Sequence, residues 1–168
     1  MANYVYNLLK CNNELTYETI KSHITNNGQS FDGDSILPMS DDPKQLFKEI
    51  LEGGLLDCDK DTIKYYLEDY TIKALWKKLY WGCNGLYRFT CNDDKKEIQF
   101  YTSWTAPFGI IDALRKLSLD FEWFYIYESE NHCFTAKFTQ TECTEVEVPR
   151  TDPRVINFCN ENFWPEDL

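Results

Sequence analysis

The chain has 168 residues, 43% hydrophobic and 16% aromatic, enough apolar surface for a packed core and too much for an intrinsically disordered chain. Asp and Glu number 28 against 17 Lys and Arg, a formal charge of −11 that opposes general binding to a nucleic-acid backbone, which needs clustered cations. There is no apolar run of the roughly 18 residues that a spanning helix requires, and the opening MANYVYNLLK lacks the basic-then-apolar order of a secretory leader, so the expected location is the cytosol.

Alternation of Tyr4, Tyr6 and Leu8 with Val5, Asn7 and Leu9 predicts a first strand over Met1–Cys11. A helix follows, with Thr16 as its expected N-cap and Leu15 stapled on Ile20, running through Tyr17, Ile20 and Ile24 to a stop at Asn26-Asn27-Gly28. Ser30–Met39 reads as a short extended segment. Asp41-Asp42-Pro43 then opens a second helix, whose apolar side is Leu46, Phe47, Ile50 and Leu51 and whose stop is Gly53-Gly54. A longer helix is expected from Thr62 to about Tyr80. The stretch 40–80 has too few large apolar residues for a core of its own and reads as a helical insertion. Trp81–Gly85 is a loop, Leu86–Cys91 a strand and Asn92–Lys96 a polar hairpin turn.

The strongest signals lie in Ile98–Phe138. Ile98, Phe100, Thr102 and Trp104 alternate with Gln99, Tyr101 and Ser103, which predicts a half-buried strand. Ala106-Pro107 ends it. With Thr105 as cap, Phe108, Ile111, Leu114 and Leu117 are then expected to form the apolar stripe of a helix. Glu122–Ser129 is apolar on both faces, the mark of a central strand, and Cys133–Phe138 returns after a turn at Glu130–His132. The expected fold class is α+β: an antiparallel sheet with helices on one face, the insertion at 40–80, and an acidic C-terminal extension over 140–168. That extension would dock on the domain 1–139 through residues such as Val146, Ile156, Phe163 and Trp164.

Seven cysteines (Cys11, Cys58, Cys83, Cys91, Cys133, Cys143 and Cys159) are widely spaced without a C-x-x-C pair, and His23 and His132 are the two histidines. Free thiols are expected, with no metal and no cofactor. Cys133 beside His132 is not a dyad, because strand neighbours point to opposite faces. Glu128 and Glu130 with His132 could serve acid–base chemistry, but turns commonly carry such residues; no phosphate loop or Ser–His–Asp order is visible, and no enzyme is expected.

Read together, MANYVYNLL, Phe31–Met39 ending in Ile36-Leu37-Pro38-Met39, the pair Trp81-Gly82, Phe100–Pro107 (FYTSWTAP) and the strand ending in Tyr127-Glu128 resemble the YubB-like proteins of phages and conjugative plasmids. The resemblance covers most of residues 1–139. It departs at Tyr4-Val5-Tyr6-Asn7, where the family often has Trp-Cys-x-Asn, and at Tyr80–Gly85, where it usually has Asn-Trp-Gly-Thr-Lys-Trp. It implies a ferredoxin-like domain, a mobile-element origin and a small accessory role. It carries no established chemistry.

Two functions follow as expectations. On the first, the protein inhibits a host defence system, for example a CRISPR nuclease, by binding a host protein or ribonucleoprotein with a basic nucleic-acid channel and mimicking nucleic acid. The carboxylates that could serve are Asp41, Asp42, Glu49, Glu52, Asp57, Asp59, Asp61, Glu68 and Asp69 on the insertion, with Glu142, Glu145 and Glu147 on the extension. On the second, the sheet stacks single-stranded bases on Tyr101, Tyr125 and Tyr127, provided that these face solvent. The charge disfavours this second reading.

Overall fold

A computed structural model describes residues 4–25, 30–53, 69–127, 132–138, 143–149, 151, 153 and 156. The described strands are β1 (Tyr4–Cys11), β2 (Ile24–Thr25), β3 (Ser30–Phe31), β4 (Leu86–Asn92), β5 (Glu97–Ser103), β6 (Phe121–Tyr127), β7 (His132–Phe138) and β8 (Cys143–Pro149). The described helices are α1 (Glu14–Lys21), α2 (Pro43–Glu52), α3 (Asp69–Tyr80) and α4 (Phe108–Lys116). All eight strands join one sheet in the order β2-β3-β4-β5-β1-β6-β7-β8. Every described pairing is antiparallel. The fold is α+β. Its four central strands, β4-β5-β1-β6, are consistent with a ferredoxin-like arrangement, in which β1 separates strands that arrive later in the chain.

Register explains the core. Asn7 lies opposite Phe100 on β5 and Tyr125 on β6, and Leu9 lies opposite Ile98 and Trp123. That face of the sheet shares one buried cluster with Tyr17 and Ile20 of α1, Leu46 and Ile50 of α2, Ile72 and Trp76 of α3, and Ile110, Ile111 and Leu114 of α4. The other face is not bare either, since Tyr6, Leu8 and Ile126 are buried there. β6, apolar on both faces, is flanked by β1 and β7, as its composition predicts.

One buried polar network ties this core together. Asn7 is fully buried. Its Oδ1 accepts from Trp123 Nε1 at 3.1 Å, and its Nδ2 donates to Val5 O at 3.0 Å and Thr102 Oγ1 at 3.3 Å. Thr102 Oγ1 in turn donates to Thr105 O at 2.8 Å, and Thr105 Oγ1 donates to Gly82 O. Buried polar atoms must be paired in this way or they destabilise the core. The chain of bonds runs from β6 through β1 and β5 to the loop before β4.

Several local expectations are corrected. Asn13, not Thr16, caps α1: its side chain accepts from Thr16 N at 2.8 Å. Thr16 is instead buried and accepts from Asp120 N at 3.3 Å, and Leu15 is 76% exposed, so no staple forms. α1 ends at Lys21, and Ile24 leaves it to pair with Phe31 in β2–β3. Gly33–Ser35 is a 3-10 turn inside the segment expected to be extended. Asp42 caps α2 with Pro43 in its first turn, and Gly53 closes it, as the sequence predicts. α3 is described from Asp69; its expected start at Thr62 lies outside the described residues.

β5 ends at Ser103, and Trp104 leaves the face predicted for it: it has φ 70° and is 55% exposed. Pro107, not Thr105, occupies the N-cap of α4; its ring has no acceptor for a cap bond, and Thr105 Oγ1 is engaged with Gly82 O. The buried side of α4 is Ile110, Ile111 and Leu114, whereas Phe108 and Leu117 are exposed. In the expected extension, Cys143–Pro149 is the terminal strand of the sheet, paired with β7 from Phe138↔Cys143 to His132↔Pro149. Val146 and Ile156, expected to dock, are exposed, while Phe163 and Trp164 lie outside the described residues. No helix among the described residues is long and apolar enough to cross a membrane.

Candidate functional site

The carboxylates singled out from the sequence fall on different elements. Asp41 and Asp42 are exposed ahead of α2. Asp42 works as the cap, its Oδ1 accepting from Lys44 N at 3.0 Å. Glu49 is not a free surface acid. Its Oε2 accepts from Trp76 Nε1 at 2.6 Å and its Oε1 from Gln45 Nε2 at 2.9 Å, so it joins α2 to α3. Glu52 is exposed, with Lys48 Nζ at 3.8 Å. Asp69 is the first residue of described α3. Glu145 and Glu147 lie on β8, opposite Ala136 and Phe134, and Glu147 is exposed. Asp57, Asp59, Asp61, Glu68 and Glu142, like Glu128 and Glu130, lie outside the described residues.

Two acids that the sequence reading passed over stand out. Asp32 and Asp34 flank Gly33, are exposed, and form no ion pair among the described residues; the same holds for Asp41. Several acids elsewhere are matched by cations. Glu14 meets Lys96 at 3.2 Å, Asp93 meets Lys21 at 2.7 Å and Tyr17 Oη at 2.5 Å, and Asp112 meets Arg115 at 2.8 Å and Lys116 at 2.7 Å. Hydrogen bonds from Lys21 and then Tyr17 hold the Asp93 carboxyl below its ordinary range, and the bond from Lys116 does the same for Asp112. Asp32, Asp34 and Asp41 are thus exposed acids without a cation among the described residues, as is Asp94 in the turn between β4 and β5. The signal in the sequence is Asp-Gly-Asp followed by Asp-Asp, with no Lys or Arg from Phe31 to Pro43.

The three aromatic residues proposed for base stacking do not form one platform. Tyr125 is core, 3% exposed, stacked on Trp123 at 4.4 Å and edge-on to Phe108 at 5.7 Å. Tyr127 is half-buried on that same helix-covered face, 5.9 Å from Tyr125. Tyr101 is on the opposite face, half-buried, edge-on to Tyr6 at 5.0 Å and Tyr4 at 6.3 Å. Among the described residues the exposed aromatic ones are instead Trp104, Phe108, Tyr87 and Tyr4. Tyr4 and Trp104 lie at the same end of the sheet, because Tyr4 pairs with Ser103. Alternation could not reveal Trp104, since the strand stops one residue before it.

A tight junction links this aromatic end to the acidic segment. A Cβ on Gly33 would lie 2.7 Å from Trp81 Cζ2, so the acidic turn sits directly on that indole. Gly82, at φ 83°, brings its Cα close to Phe108 N and Ala106 O, where a Cβ would approach to 2.9 and 3.0 Å. Gly109 N donates to Trp81 O at 3.1 Å, and Lys77 Nζ lies 4.6 Å over the Trp81 ring. Trp81 Nε1 is buried with no acceptor among the described residues.

Nothing among the described residues groups three His, Cys, Asp or Glu side chains in a way that could hold a metal. Cys11 and Cys83 are buried free thiols, pushed up to about 12 chiefly by burial, the opposite of an activated nucleophile. His132 and Cys133 begin β7, facing Pro149 and Val148 in register. His23 Nδ1 is engaged with Ser35 Oγ. No family model, curated protein or solved structure matches the chain.

Proposed function

We propose that this chain is a non-catalytic interaction protein that presents an acidic surface to a basic protein partner. The observation that carries the reading is the set of exposed acids Asp32, Asp34, Asp41 and Asp42 on a chain of net charge −11, the first two flanking Gly33 where it meets Trp81. Exposed carboxylates are complementary in charge to a phosphate-binding channel and would steer association with it. The resemblance to YubB-like proteins extends the proposal: a ferredoxin-like accessory protein of a phage or plasmid, acting in the host cytosol. Its partner would be a defence nuclease or ribonucleoprotein whose basic channel normally holds nucleic acid, as an anti-CRISPR inhibitor does. Direct nucleic-acid binding is the weaker reading, because Tyr125 is in the core and net charge opposes it.

The test is a cleavage assay with a panel of purified guide-RNA-directed nucleases, in which the protein is titrated against each. Inhibition of one of them is expected to weaken as salt rises from about 0.01 to 0.15 M, where the screening length falls from ~30 to ~8 Å. It is expected to fall further in the variant Asp32→Asn/Asp34→Asn/Asp41→Asn. Inhibition by that variant equal to the parent, or no inhibition across the panel, would sink the proposal.

A further inference from the structure

Trp104 is the described residue that the core explains least. It is 55% exposed and held at φ 70°, a backbone region that bulky side chains rarely occupy. Among the described residues, no hydrogen bond or ring contact engages its side chain. A residue under local strain that places an indole in water is a cost to folding, and such costs concentrate at functional positions. The turn that carries it is firmly held: Thr105 N donates to Ser103 O at 2.9 Å, Thr102 Oγ1 donates to Thr105 O at 2.8 Å, and Phe108 N donates to Ala106 O at 2.9 Å. Four residues on, Phe108 is 47% exposed and braced edge-on against Trp123 at 5.3 Å. The turn thus carries two large aromatic rings exposed to solvent on a pre-organised support.

We infer that Trp104 and Phe108 are the apolar anchors of the docking surface, and that they seat a protein segment carrying Arg or Lys beside an apolar side chain. This rests on the acidic-surface reading above and adds to it which part of the molecule makes the apolar contact. Charge complementarity selects the occupant. Trp81-Gly82 contacts the acidic turn through Gly33 on one side and the anchor turn through Ala106 and Phe108 on the other, so carboxylates and rings share one support. Aromatic faces and carboxylates together recognise a guanidinium, by stacking and by ion pairing. Trp, Tyr and Arg also dominate the energetics of protein interfaces.

The experiment uses fluorescence anisotropy with the full chain and three labelled probes: a peptide of alternating Arg and Leu, one of alternating Asp and Leu, and a single-stranded oligothymidine. The expected result is binding of the Arg–Leu peptide alone. Trp104→Ala should weaken it by about tenfold or more. Trp104→Gly should do the same while keeping the melting temperature, since Gly accepts φ 70° and the indole leaves no cavity; this separates lost anchoring from lost folding. Asp32→Asn/Asp34→Asn/Asp41→Asn should also weaken binding. If that acidic variant loses the peptide and both Trp104 variants keep it, the anchor inference is overturned and the acidic-surface reading stands. Retention by all variants overturns both. Loss with the Trp104 variants but not with the acidic variant overturns the basic-segment assignment. Preference for the oligonucleotide does so too, as does a concentration-dependent dimer that Trp104→Ala dissolves, because each names a different occupant.

Discussion

Asn7→Asp tests the buried network with a change of one side-chain group. Asn7 has no exposure and uses its amide as donor to Val5 O and Thr102 Oγ1 and its carbonyl as acceptor from Trp123 Nε1. A protonated Asp keeps the acceptor and one donor, so near pH 4 the variant should lose one net hydrogen bond, about 1 kcal/mol. An ionised Asp has no donor and would bury a charge facing two oxygen atoms. Burial raises a carboxyl pKa by roughly 3–5 units from its unfolded value of about 3.9. With the folded pKa raised, the folded state binds more protons, so the variant loses stability as pH rises above about 3.9, at about 1.4 kcal/mol per unit. By pH 7 that amounts to about 4 kcal/mol beyond the lost hydrogen bond, most of the stability of a marginal domain. Urea unfolding of parent and variant at about pH 5, 6 and 7 reads the difference directly, with linear extrapolation at each pH. A difference that stays constant across that range would refute the reasoning, because it would mean that position 7 lies in a solvated environment.

Other outcomes are equally specific. Gly109→Ala should destabilise by several kcal/mol in chemical denaturation, because its Cβ would sit 1.6 Å from Tyr80 O; the gain of about 1 kcal/mol that Ala brings to a helix cannot offset it. Glu49→Ala should cost about 1–3 kcal/mol by orphaning Trp76 Nε1, whereas Glu52→Ala, which removes one exposed ion pair at 3.8 Å, should stay within about 0.5 kcal/mol. Equal costs would contradict the placement of Glu49. Cys11 and Cys83, pushed up to about 12, should label with a thiol reagent more slowly than half-buried Cys91 at mild pH, as read by mass spectrometry of the peptides. Since their folded pKa values are raised, their contribution to stability is intact below about pH 8.5 and is lost as pH climbs toward 12, which an alkaline unfolding series would record.

Much of the sheet was legible, because β1 and β5 show a period of two, β6 is apolar on both faces as a central strand is, and each is bounded by turn residues. What escaped has physical causes. On α4, the repeat Phe108, Ile111, Leu114, Leu117 looked like a stripe, but at 3.6 residues per turn its two ends are about half a turn apart, so the core took Ile110, Ile111 and Leu114. In α1, Asn13 and Thr16 are both good caps, and burial decided between them: Thr16 was drawn inward to Asp120. β8 was hidden by charge. Glu145 and Glu147 made the segment read as an acidic tail, although Val146 and Val148 alternate with them as an edge strand requires. The acidic candidates on α2 were visible as residues but not as partners. That Glu49 faces Trp76 depends on how α2 meets α3 across 27 positions of sequence, which no local pattern encodes.

The place of β1 sets the order in which the molecule can be made. Its neighbours are β5 and β6, so Val5 finds Thr102 on one side and Tyr127 on the other. A ribosome adding about 5–20 residues per second needs roughly 6–25 s to travel from the first strand to the end of β6. Until β5 is made Val5, Leu8 and Leu9 have neither neighbouring strand, and until β6 is made they have one, so closing the gap spans nearly the whole described sheet. Truncation before Phe121 would leave the central strand with one edge unpaired.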